Sequence, residues 1–225
     1  MTKLLCATDL LPKSEPAVDR AGLLAQRLNA ELSLLHVVSP ATSERNLEHA
    51  LQLANAKLKA RAESPLWLHG PQPQFAVRTG SPARLILDSI ARHSVNMLVV
   101  GPHRKRGIRD VLEGTIAEKV LSTRQCPLLI VQQPAIEAYK NVLIALDVGE
   151  ESIAVVRAAE ALVLNSSAQA MVMHVCEPPY QGMMRSAGVA TQEVLSYVEH
   201  SRREAADAVR ELLKRASQDH SRYGV

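Results

Sequence analysis

Residues Leu4–Val38 read LLCATDLLPKSEPAVDRAGLLAQRLNAELSLLHVV, and residues Val142–Cys176 read VLIALDVGEESIAVVRAAEALVLNSSAQAMVMHVC. Laid together without a gap, they share Leu5, Ala7, Asp9, Ser14, Val18, Ala21, Leu24, Ala30, His36 and Val37. The offset is constant: Asp9 and Asp147, like His36 and His174, stand 138 residues apart. Self-similarity in one register over this length marks two copies of one structural unit.

Each copy opens on a short apolar run, Lys3–Ala7 and Asn141–Leu146. A run this short, closed by Asp, predicts a strand buried on both faces. In the first copy Ala17, Ala21, Leu24, Ala25 and Leu28 recur at helical spacing. A second strand, Glu31–Val38, ends at Ser39-Pro40, and a polar helix follows over about residues 43–63. Gln74–Arg78 reads as a third strand. Ser81 and Pro82 open a helix as N-cap and first residue, with Leu85, Ile86, Ser89 and Ile90 on its buried face. Val95–Val100 is another buried strand, Thr115–Ser122 a helix and Pro127–Gln132 a last strand. Strands alternating with helices predict an α/β fold with an open parallel sheet covered on both faces. The second copy has a loop with Pro178, Pro179 and Gly182, then a long amphipathic helix striped by Val194, Leu195, Val198, Ala205, Val209, Leu212 and Leu213. The expected organisation is a complete domain over 1–133, a linker over 134–138 and a partial repeat over 139–225. The 87 residues of that repeat are expected to hold two strands and two helices, which leaves the strand at Asn141–Leu146 with an empty side. Either another surface covers that edge or the repeat was shortened.

Composition narrows the function classes. The 225 residues are 47% apolar and 22% charged, and no apolar run approaches the length of a bilayer span. The first residues do not form a signal peptide, and the three cysteines make neither a disulfide framework nor a zinc site; a reducing cytoplasm is the expected location. A net charge of +3, with only 3% aromatic residues, gives no nucleic-acid surface and no base-stacking platform. Neither a Gly-x-x-x-x-Gly-Lys-Ser/Thr loop nor a Gly-x-Gly-x-x-Gly turn after the first strand is present. Asp9 lacks the acidic neighbour of a receiver domain. No metal site is expected from the histidines: His36 and His174 end equivalent strands as structural residues. Cys6, Cys126 and Cys176 read as small apolar strand residues, and Trp67 and Phe75 as packing anchors.

The informative loop is Gly101–Glu118, GPHRKRGIRDVLEGTIAE, which joins a buried strand to a helix. Backbone N–H groups of such a turn point at anions, so phosphate fits. Arg104, Lys105, Arg106 and Arg109 add positive charge, or simply make a solvated loop. Thr115-Ile116-Ala117-Glu118 is a capping box, its hydroxyl accepting from the Glu118 N–H.

The ordered set of ATD (Ala7–Asp9), LHVV (Leu35–Val38), Gly80-x-Pro82, Gly101 with Gly114-Thr115, AEKVL (Ala117–Leu121) and CPLLIV (Cys126–Val131) resembles the universal stress protein family. That resemblance covers residues 1–133 and the first half of the fold in 139–225. It implies a five-stranded sheet in the order 3-2-1-4-5 and a cytoplasmic stress-response protein that acts by binding rather than turnover. It implies an adenine-nucleotide site, ATP with its accompanying Mg, drawn from Ala7, Asp9, Val38, Gly101, His103, Arg104, Gly114, Thr115 and Ile116. In it Asp9 would contact ribose, Val38 would line the adenine pocket, and Gly101, Gly114 and Thr115 would wrap the phosphates. The family motif has a second glycine where this chain has Arg104. Glycine permits close backbone approach; the guanidinium either donates two bonds to phosphate or fills the pocket. A nucleotide-free dimerising module and a weak ATPase or autophosphorylating protein are the alternatives. The resemblance also implies homodimerisation through the strand at 127–132, and the uncovered edge of the second domain is the alternative surface for it; no nucleic acid or membrane partner is expected.

Overall fold

The strands expected at the ends of each repeat line up as two parallel sheets in a computed structural model of the chain. The structure describes residues 2–40, 44–64, 67, 72–102, 116–161, 168–217 and 223–224. The chain divides into two compact units, Met1–Glu137 and Ala138–Val225.

The first unit runs β1 (Lys3–Ala7), α1 (Glu15–Leu28), β2 (Glu31–Val38), α2 (Glu44–Ala62), β3 (Gln74–Thr79), α3 (Pro82–His93), β4 (Met97–Val100), α4 (Ile116–Thr123) and β5 (Leu128–Ile130). Its sheet has the order β3-β2-β1-β4-β5, all neighbours parallel. Helices α1 and α2 carry the chain from β1 to β2 to β3 over one face, and α3 and α4 carry it back past β1 and on to β5 over the other. On that second face Leu5, Leu35 and Leu98 pack under Ile86 and Ile90 of α3 and Val120 of α4. Leu4, Cys6, Leu32 and Leu34 alternate with them and are buried on the opposite face. Trp67 is fully buried, and its Nε1 donates to the Arg61 carbonyl at 2.5 Å. A Cβ on Gly22 would collide with Cζ3 and Cη2 of the Trp67 ring, so α1 needs a residue without a side chain there. Arg61 also pairs with Glu15 at 3.0 Å and with Asp19, tying α2 to α1.

Three expectations change. Ser81 does sit at the N-cap of α3 with Pro82 behind it, but its hydroxyl makes no capping bond. The fourth strand starts at Met97, because the Val95 N–H closes the end of α3 on Ile90 at 3.1 Å. Phe75 is no packing anchor: it lies exposed on β3, the edge of the sheet.

The second unit runs β6 (Asn141–Ala145), α5 (Glu151–Ala159), β7 (Gln169–Met173), α6 (Gln181–Ser186), α7 (Thr191–Ala216) and β8 (Tyr223–Gly224). The reading of two strands is corrected here. β8 adds a third, parallel to β7 with Ala170 opposite Tyr223. Two residues give no sequence periodicity. What seats the strand is the buried Tyr223 ring, whose hydroxyl donates to Glu160 at 2.9 Å. Ile144, Ala170, Val172 and Tyr223 form a core with Val156 of α5 and Val209, Leu212 and Leu213 of α7.

Burial of β6 on both faces is also corrected. Leu143 is 58% exposed where its counterpart Leu5 is 3% exposed. Met173 is 43% exposed where Leu35 is 3% exposed. β6 and β7 repeat β1 and β2, but among the described residues nothing in this unit stands where α3 and α4 stand in the first.

Candidate functional site

Parallel strands deliver their carboxyl ends to one edge, and a sheet that reverses its winding order opens a crevice there. In the first unit the reversal falls between β1 and β4, where Ala7 pairs with Val100. The chain leaves these strands at Thr8-Asp9 and Gly101-Pro102, and leaves neighbouring β2 at Val38.

The turn after β1 is held by its own side chains. The Leu10 N–H donates to Thr8 Oγ1 at 3.0 Å, and the Leu11 N–H donates to Asp9 Oδ1 at 3.1 Å. These bonds keep Leu10 at φ +58°, a conformation non-glycine residues adopt only when their surroundings enforce it. The Ser14 hydroxyl donates to the same Asp9 oxygen. The Asp9 carboxylate is exposed at the crevice while one of its oxygens fixes the turn.

Gly101 faces that turn. A Cβ there would lie 3.1 Å from the Cα of Ser14 and 3.6 Å from the Lys13 carbonyl oxygen. The chain segments after β1 and β4 therefore pass in close contact, and glycine at 101 follows from packing alone. Ile116 opens α4 half-buried against the core of that face. Val38 is half-buried, its carbonyl accepting from the Gly80 N–H at 3.0 Å. Ala7, Asp9, Val38, Gly101 and Ile116 thus sit at strand ends or at a helix start. His103, Arg104, Gly114 and Thr115, with the capping box that Thr115 begins, lie outside the described residues.

His36 has a structural partner. Its Nδ1 lies 2.8 Å from the Thr8 carbonyl oxygen; since a carbonyl only accepts, Nδ1 carries the proton. The second unit repeats this bond between His174 and Leu146 at 3.1 Å. It also repeats the serine: Ser152, the counterpart of Ser14, accepts from the Asp147 N–H at 3.2 Å. Ser14 is the residue the sequence reading of the site passed over. Its identity with Ser152 in the repeat was the available signal.

Burial pushes the Cys6 thiol up to about 12, with the Arg61 charge opposing and Glu15 adding to the rise. That thiol stays protonated at neutral pH and is no nucleophile. Burial also raises Cys126. Among the described residues no cluster of three His, Cys, Asp or Glu could hold a metal ion, and no helix is long and apolar enough to cross a membrane.

The model of the universal stress protein family matches residues 1–132 and again residues 138–224. The chain belongs to the universal stress protein family. It is similar to universal stress protein YxiE of Bacillus subtilis, 30% identical over 151 residues that span 58% of this chain and 98% of the relative. It is also similar to universal stress protein MJ0531 of Methanocaldococcus jannaschii, 29% identical over 59% of this chain and 82% of that one. Among solved structures, a universal stress protein from Archaeoglobus fulgidus matches with a TM-score of 0.64. It is 19% identical and the match covers 83% of this chain and 72% of that one, which shows the shared fold.

Proposed function

We propose that the first unit binds an adenine nucleotide in the crevice between β1 and β4, and that this family member acts in the cytoplasmic stress response by binding rather than turnover. The observation that carries this reading is the reversal of strand order at β1 and β4, which brings the ends of these two strands, and with them Asp9 and Gly101, to one carboxyl edge of the sheet. Asp9 keeps a carboxylate at that edge, suited to accept bonds from a ribose. The 101–115 segment carries Arg104, Lys105, Arg106 and Arg109, positive charge suited to the phosphates of a nucleotide.

A nucleotide-free module is the second reading. It is favoured by the packing of Gly101 on Ser14, which explains the glycine without phosphate. A calorimetric titration of the full chain with Mg-ATP separates them. Saturable binding of one nucleotide per chain, weakened by Asp9→Ala, supports the first reading. No saturable binding at millimolar nucleotide rules it out. Phosphate release over many turnovers, abolished by Thr115→Ala, would establish an enzyme instead.

A further inference from the structure

Ser14 is 7% exposed, and its hydroxyl donates to Oδ1 of the exposed Asp9 carboxylate. The Leu11 N–H donates to the same oxygen at 3.1 Å. Oδ1 thus holds two donors, and among the described residues Oδ2 holds none. An unheld carboxylate turns easily about its last torsion. Two donors on one oxygen remove that freedom and leave the other oxygen as a single acceptor in a fixed place. Ser14 also meets the second strand end, since a Cβ on Gly101 would lie 3.4 Å from the Ser14 Cβ. It is the residue at which the turn after β1 and the chain after β4 touch.

The second unit shows that a strand, turn and helix of this kind form without the serine–carboxylate bond. Asp147 and Ser152 repeat the pair at the same spacing of 5 residues. There the serine serves the backbone, its Oγ accepting from the Asp147 N–H at 3.2 Å. Asp147 Oδ1 takes the Val148 N–H at 2.8 Å, and the side chain stands 86% exposed. Nor does the Ser14 hydroxyl cap its helix, for it makes no bond to the backbone of α1. Its service is to the carboxylate.

We propose that Ser14 is a positioning residue for nucleotide recognition, locking Asp9 so that Oδ2 alone accepts from one ribose hydroxyl. This rests on the proposed nucleotide site and narrows what that site reads. A carboxylate with both oxygens free can grip a vicinal diol, one oxygen to each hydroxyl. With one oxygen already occupied, it takes one hydroxyl in a charge-assisted bond and leaves the other to solvent. Because the group is oriented before the ligand arrives, less freedom is lost on binding. The site therefore prefers a ribonucleotide to the analogue lacking that one hydroxyl, and tolerates loss of the other.

Calorimetric titration of the full chain with Mg-ATP and with its 2′-deoxy and 3′-deoxy analogues tests this. One analogue should bind about tenfold weaker than ATP or worse, the loss of a hydrogen bond to a charged group, and the other about as well as ATP. In Ser14→Ala the carboxylate is released, so the gap between the two analogues should shrink severalfold. Asp9→Asn is the second variant: its amide oxygen still takes Leu11 and Ser14, and its NH₂ replaces Oδ2. It should keep the wild-type melting temperature and lose the preference. Equal losses with both analogues would mean that both hydroxyls are gripped, and no loss with either that Asp9 reads neither. Each result overturns the proposal and leaves the nucleotide site standing. So does a Ser14→Ala chain that binds ATP and both analogues more weakly in the same ratio, which a purely structural serine would give, or an Asp9→Asn chain that keeps the preference. No saturable binding of ATP at millimolar concentration overturns both this proposal and the reading it rests on.

Discussion

β1 and β6 are one strand written twice, and they meet different surroundings. Both carry Leu and Ala at matching positions, both are followed two residues on by Asp, and in both the carbonyl just past the strand meets a histidine ring nitrogen. β1 has neighbours on both edges and helices over both faces. Among the described residues β6 has one sheet neighbour, and Leu143 on one of its faces is exposed. The same residues are core in the first case and surface in the second. Burial is a property of the elements that follow the strand, and the second unit has no counterpart of α3, β4, α4 and β5 among its described residues.

Leucine truncation measures that difference most directly. Leu5→Ala removes buried methyl groups from a packed core and should cost about 2–5 kcal/mol. Leu143→Ala should change stability by no more than about 0.5 kcal/mol. Urea unfolding followed by the fluorescence of the single Trp67 reports the first unit, and far-UV circular dichroism adds the second. Equal losses at the two positions would mean that Leu143 is covered in solution, and the contrast would fail.

The helix that follows each strand offers a smaller lever. Gly22 lies under the Trp67 ring, while its counterpart in the repeat is Glu160, which accepts from Tyr223. The same helical position serves a buried indole in one unit and a phenol in the other. Gly22→Ala should destabilise the first unit by about 1–3 kcal/mol through overpacking. A neutral or stabilising result in the same urea series would show that Trp67 can shift aside.

Much of this was readable in the chain because the features are local. β1, β2 and β4 are central strands, and their Val- and Leu-rich runs signal burial on both faces. The same signal misleads at β6 and β7. Leu143, Met171 and Met173 are as apolar as core residues, so their runs read as buried strands although these three side chains are exposed. β8 was illegible because two residues carry no period, and its anchor is the distant contact between Tyr223 and Glu160. At the site, Gly101 and Asp9 stood out as residue types at strand ends. The contact of Gly101 with Ser14 spans two loops far apart in sequence, so no spacing announces it.

Where the units agree, their energetics should agree too. His36 and His174 each donate from Nδ1 to the carbonyl that follows the adjacent strand. His36→Phe and His174→Phe should each cost about 1 kcal/mol, the value of one ordinary hydrogen bond. Thermal unfolding of the two variants decides it. A large loss at His36 with none at His174 would show that the bond matters only inside a completed sheet.

The smallest effect belongs to a pair the second unit has alone. Glu150, at the start of α5, accepts two bonds from Arg215 in the last turn of α7, at 2.7 Å and 2.6 Å. In the first unit the counterpart of Glu150 is Pro12, so no such bridge exists there. The Arg215 hydrogen bonds hold the Glu150 carboxyl below its ordinary 4.5. A depressed carboxylate pKa stabilises the fold above the ordinary value, and that stability is lost as pH falls through the lower folded value. Both side chains are more than half exposed, so water and salt screen the pair and its contribution is slight. Glu150→Gln should therefore lower the melting temperature a little at neutral pH in low salt. The gap to wild type should close as the pH falls through the lowered folded value of Glu150 and should also close in molar salt. A gap independent of both pH and salt would assign the effect to the start of α5 rather than to the bridge.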